Sequence, residues 1–116
     1  MIEVTRHLLD VLPQRATEGD IQKATDIGAL GIMVPMVASA EEAAHIVSCT
    51  RYPPQGRRGA AFGFAHDDFE GGEPAAKVAA LNARTLVMAQ IETTDGLAHV
   101  DAIAATPGVD VLFLGH

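Results

Sequence analysis

What this chain can become is limited first by three apolar runs separated by stretches with helical spacing. The runs are Ile32-Met33-Val34-Pro35-Met36-Val37, a segment from Thr85 that stays apolar through Ala89, and Val109–Leu114, interrupted by Asp110. Short, nearly continuous runs of this kind suit parallel strands buried on both faces. With the intervening stretches the order reads α, β, α, loop, α, β, α, β. Alternation of this type implies right-handed crossovers and a parallel sheet, an α/β architecture.

Local signals punctuate the same order. Thr17-Glu18-Gly19-Asp20 offers polar N-cap candidates ahead of Ile21, Ala24 and Ile27, and Gly28 reads as the helix stop. Ser39 with Glu42 is a capping box opening an Ala-rich helix through Ile46 and Val47. Pro74 fits the first turn of a helix ending near Asn82, and Thr93 or Thr94 caps one with Leu97, Val100 and Ile103 on a single face. Pro35 lacks an N–H and belongs near a strand end. Residues 1–16 are poorly patterned, so the domain is expected over 17–116. The stretch from Arg51 to about Glu73 is a long irregular loop carrying Pro53-Pro54 and five glycines.

Composition removes several function classes. The net charge is −7 with no basic stripe, which argues against a nucleic-acid partner. Nothing reads as a signal peptide or as a membrane span, so the cytoplasm is the expected compartment. Cys49 is the one cysteine, which excludes an intrachain disulfide and suits a small buried hydrophobe.

Chemistry concentrates at the strand ends. In parallel α/β folds ligands bind beyond the carboxyl ends of the strands, here Pro35-Met36, Gln90-Ile91-Glu92 and Gly115-His116. Side chains alternate along a strand, so Gln90 and Glu92 share a face. A carboxylate there can hold a hard cation while the amide serves a bound anion or a metal water. Equally, Glu92 can simply cap the following helix. His116 falls beside Glu92, but one carboxylate and one imidazole are too few ligands. His7, His45, His66 and His99 show no ligand spacing and fit surface positions. The loop Arg51-Tyr52-Pro53-Pro54-Gln55-Gly56-Arg57-Arg58-Gly59 either folds over the site, offering an arginine to a carboxylate substrate, or is an ordinary solvated loop.

Five blocks in order carry a family resemblance: Asp20–Ala24, Gly28–Val37, Tyr52–Gly59, Gln90-Ile91-Glu92-Thr93 with Gly96-Leu97, and Gly108–Gly115. Together they resemble the HpcH/HpaI aldolases, relatives of the citrate lyase β subunit, over roughly 17–116. The resemblance implies part of a (β/α)8 TIM barrel, since a whole one needs about 250 residues. It also implies a divalent cation, Mg²⁺ or Mn²⁺, held by Glu92. Gln90 and Gly115 would line the 2-oxo-acid site, in an enzyme joining or cleaving pyruvate and an aldehyde. A homo-oligomer is expected for the full-length protein.

Departures accompany the match. Gly115-His116 begins the family's Gly-x-x-Asp motif, whose aspartate, the second metal ligand, would fall two residues beyond His116. The family's catalytic histidine has no counterpart, and its Arg before a Pro falls on Val11 unless Arg15 substitutes. The expectation is therefore an incomplete metal-dependent carbon–carbon lyase, inactive alone, whose final apolar strand is covered by residues beyond His116. Two alternatives are a non-catalytic barrel remnant acting through self-association and a citrate-lyase-like acyl-CoA lyase.

Overall fold

The computed structural model describes residues 10–12, 17–60 and 71–115. The elements run β1 (Asp10–Val11), α1 (Glu18–Asp26), β2 (Gly31–Val34), α2 (Ala40–Thr50), α3 (Pro74–Arg84), β3 (Leu86–Ile91), α4 (Thr94–Ala98), α5 (Val100–Ala104) and β4 (Val111–Leu114). All strand pairings are parallel and the sheet order is β1-β2-β3-β4. The expected alternation holds, with one addition: β1 lies in the segment whose pattern announces nothing. Two residues are too few to show a period, and the strand is continued by Leu12 N–H donating to the Met33 carbonyl at 3.0 Å.

Helix boundaries follow the local chemistry. Thr17 and Asp20 form a reciprocal capping box on α1. At its other end Gly28, at φ 106°, lets its own N–H reach Thr25 O and that of Ala29 reach Ala24 O. That is a Schellman ending, and glycine enters its left-handed conformation without a Cβ penalty. Ser39 accepts from Glu42 N–H, whereas the Glu42 carboxylate reaches Ala38 N–H instead of the Ser39 backbone. Pro74 opens α3 behind the Glu73 cap, as expected. The single helix predicted after Thr93 is instead two, α4 and α5, parted at His99 (φ −109°, ψ 13°). That break leaves Leu97 exposed while Ile103 stays fully buried.

A strand order without reversal suits right-handed crossovers, and α1, α2 and α5 pack on the same face of the sheet. Ile21 and Ala24 of α1, Ala43, Ile46 and Val47 of α2, and Ile103 of α5 join Ile32, Val34, Val87, Ala89 and Ile91 in one core. Each large aliphatic buried there contributes roughly 1.5–3 kcal/mol. The opposite face carries Met33, Met88 and Val111 in register, then Gln90 beside Phe113. These are half-buried or exposed. Within the described residues helices cover one face, and Phe113 and Leu114 of β4 are 47% and 68% exposed. Apolar residues on both faces show only that each can be buried. The arrangement is four consecutive parallel strands under a helix layer, the pattern expected of part of a (β/α)8 barrel. Among the described residues no helix is long and apolar enough to cross a membrane.

Candidate functional site

Three strand ends meet at the carboxyl edge of the sheet. The first belongs to β2, which stops before Pro35, where the ladder loses a donor. Met36 then takes φ 60°, the left-handed region uncommon for residues other than glycine. Its N–H donates to Glu92 Oε2 at 2.9 Å, and the next one, from Val37, donates to the Gln90 carbonyl at 3.1 Å. One turn therefore grips the end of β3 twice, once by side chain and once by backbone.

The second end belongs to β3 itself. Burial alternates along it, with Val87, Ala89 and Ile91 inside and Met88 and Gln90 half-buried. Gln90 and the half-buried Glu92 accordingly share the face away from the helices, as their spacing predicts. The alternative role of Glu92 as helix cap is overturned. Thr93 does that work, its hydroxyl accepting from Gly96 N–H at 2.9 Å.

The third end is Gly115, whose N–H donates to the Ile91 carbonyl at 3.0 Å. A Cβ placed on it would fall 2.6 Å from Gln90 Nε2, 2.8 Å from Glu92 Cγ and 3.0 Å from Glu92 Oε1. Glycine lets the ends of the Gln90 and Glu92 side chains approach this closely. All three residues singled out in the sequence thus converge on one cradle. Neither the Gln90 amide nor Glu92 Oε1 has a hydrogen-bond partner among the described residues.

The donor chemistry of this cradle fits a hard cation in part. Carboxylate and amide oxygens are the ligand types such ions take. Among the described residues, however, no three His, Cys, Asp or Glu side chains are grouped closely enough to hold a metal. Glu92 thus supplies one carboxylate, less than a full shell. His7, Arg15, His66 and His116 lie outside the described residues. His45 and His99 are exposed, away from any such group.

The arginine loop takes neither of its expected positions. The Arg51 guanidinium is buried and donates to Thr85 O, with Gly108 O and Asp110 Oδ2 at 3.5 and 3.4 Å. Arg58 is also buried, pairs with Asp26 at 3.0 Å and stacks 4.5 Å over the Tyr52 ring. Arg57 alone is exposed, paired with Glu18 at 2.7 Å. Thr85 and Asp110 precede the first residues of β3 and β4. Arg51 therefore sits at the amino edge of the sheet, roughly 20 Å of strand from Glu92. Sequence separations of 34 and 59 residues gave no local sign of these contacts. Met36 was placed at the ligand-binding edge by the sequence, but its backbone was not foreseen: Pro35 marks a turn, and a methionine gives no hint of positive φ.

Comparison with known proteins places the cradle in context. The family model for HpcH/HpaI aldolase/citrate lyase matches residues 10–116. A 4-hydroxy-2-oxovalerate aldolase of Novosphingobium aromaticivorans is 48% identical over 95 residues, covering 82% of this chain and 35% of the relative. A hydroxypyruvate/pyruvate aldolase of Chromohalobacter salexigens is 40% identical over 95 residues, covering 82% of this chain and 37% of its own length. The crystal structure of an HpcH/HpaI aldolase from Desulfitobacterium hafniense DCB-2 superposes with a TM-score of 0.85 at 36% identity, over 92% of this chain and 40% of that one. The chain spans about a third of the length of the curated relatives it matches. Its sheet order, one-sided helix layer and ordered motif blocks agree with that match, and the chain belongs to the HpcH/HpaI aldolase/citrate lyase family.

Proposed function

We propose that this chain carries the cation- and 2-oxo-acid-binding part of a carbon–carbon lyase that joins or cleaves pyruvate and an aldehyde. The observation that carries the reading is the convergence of the Gln90 and Glu92 side-chain ends against Gly115. The names of the relatives, two aldolases of 2-oxo acids among them, support the reaction class. Glu92 is the metal ligand in this reading, through Oε1, because Oε2 already accepts from Met36. A bound Mg²⁺ or Mn²⁺ supplies Lewis acidity toward the 2-oxo acid. The Gln90 amide, without another partner among the described residues, donates to an oxygen of that acid. Gly115, lacking a side chain, lets Gln90 and Glu92 lie close enough together to serve one ligand. Among the described residues the cradle offers one carboxylate, and weak cation binding is what a single carboxylate supports.

Calorimetry with Mn²⁺ and pyruvate tests the proposal. Expected is weak Mn²⁺ binding that pyruvate strengthens and that Glu92→Gln removes. Binding that persists unchanged in that variant would sink the assignment.

A second reading, self-association through the uncovered sheet face, is favoured by the exposure of Phe113 on β4. Light scattering after size exclusion decides it. A monomer at all concentrations removes it.

A further inference from the structure

A carboxylate that binds a cation usefully has to be aimed, and aim comes from what holds its other oxygen. Glu92 follows the last residue of β3 and has rotatable bonds of its own. Among the described residues its carboxylate accepts from the Met36 backbone N–H, 56 residues earlier in the chain. That N–H points at Oε2 because Met36 adopts φ 60° after Pro35, while Val37 N–H fixes the same turn to the Gln90 carbonyl. The other oxygen, Oε1, is left over Gly115, on the side of Gln90 Nε2. Left-handed backbone in a methionine is unfavourable, and such conformations persist where the surroundings over-determine them, often at functional sites.

We infer that Met36 is a positioning residue, acting through its backbone N–H to restrain Glu92 as a one-oxygen ligand. This rests on the cation-binding reading above, and it specifies what makes the site ready before any ion arrives. The side chain of Met36 is not what matters; its φ is. Glycine at position 36 keeps the left-handed turn and the donor at no steric cost. A β-branched residue resists positive φ, so valine there pushes the turn toward negative φ and swings the N–H off Glu92.

The test needs two readouts on the full chain. In the metal-free protein the Met36 amide is followed by nuclear magnetic resonance and hydrogen exchange. It is expected to be protected, and to shift and lose protection in Glu92→Ala. Mn²⁺ titrations then compare wild type with Met36→Gly and Met36→Val. Met36→Gly is expected to stay within about threefold of wild type, and Met36→Val to lose about tenfold or more, the scale of losing a partner that orients a ligand. An amide that ignores Glu92→Ala overturns the inference, as does a folded Met36→Val protein that binds Mn²⁺ like wild type. If Met36→Val fails to fold, the amide response to Glu92→Ala still decides. Should wild type take up no Mn²⁺ at all, the site reading falls, while the amide result continues to judge the anchor by itself.

Discussion

The two ends of the sheet use polar groups in opposite ways. At the amino edge Arg51 is buried, and its guanidinium is directed at Thr85 O, Gly108 O and Asp110. Asn82 does similar work nearby, accepting from Tyr52 N–H at 2.8 Å and donating back to Tyr52 O. Both side chains direct their polar groups at internal partners, which is how buried polar groups are normally tolerated. At the carboxyl edge Glu92 has one oxygen engaged, and the Gln90 amide has no partner among the described residues. One end is built to hold the strands, and the other keeps donors and acceptors available. Both come from the same strands, so position along the strand separates stability from chemistry.

That contrast predicts unequal responses to mutation. The largest effect on folding belongs to Arg51→Met, which takes the guanidinium donor from Thr85 O and Gly108 O and the counter-charge from Asp110, and should lower stability by about 3 kcal/mol in urea unfolding. Glu92→Gln should change it by less than about 1 kcal/mol. A reversal of these two would erase the distinction between the ends. Gly115→Ala comes next, at about 1–2 kcal/mol, because the new Cβ displaces Gln90 and Glu92. Its Mn²⁺ binding should vanish while the fold survives by circular dichroism, and retained binding would show the cradle to be more pliable than its geometry.

Asp110→Asn is milder. Asp110 Oδ2 accepts from Val87 N–H at 2.8 Å, and an asparagine oxygen can do the same, so only the charge opposite Arg51 is lost. About 1 kcal/mol is expected from thermal unfolding. The smallest effect concerns helix starts. Backbone N–H groups of Ala75 and Ala76 hold the Glu73 carboxyl below its usual range, and the Thr17 backbone and hydroxyl do so for Asp20. A lowered folded-state value means stability that is present above the ordinary carboxylate range and is lost as pH falls through the lowered one. The deficit of Glu73→Gln relative to wild type should therefore be small at neutral pH and disappear in acid. A deficit that grows in acid would contradict the capping role.

Much of this was readable from residue order because the relevant physics is local. Helix caps at Thr17 and Ser39, the stop at Gly28 and the shared face of Gln90 and Glu92 follow from spacings of a few residues. The motif blocks added the family and the likeness to part of a barrel. What escaped was set by long-range packing. Arg51 and Arg58 lie in a loop that reads as solvated, yet their partners are distant in sequence and fix them at the amino edge. Strand β1 has no period to show. One-sided burial was hidden because valine and methionine on the uncovered face look the same as those against the helices. Met36 escaped for another reason, since its residue type gives the wrong prior for its backbone.

The Arg51–Asp110 junction also sets alignment. Val87 and Asp110 are joined there by two bonds, Asp110 N–H to Val87 O at 2.9 Å and Val87 N–H to the Asp110 carboxylate. From that point the register counts forward through Met88 with Val111 to Ile91 with Leu114. A slip of one residue would turn every side chain of β4 to the other face. It would also bring a bulky or differently directed residue to the place that Gly115 keeps vacant. The guanidinium at the far edge thus works as a vernier for the cradle, and lysine, a single point charge, could not match its forked reading of several oxygens.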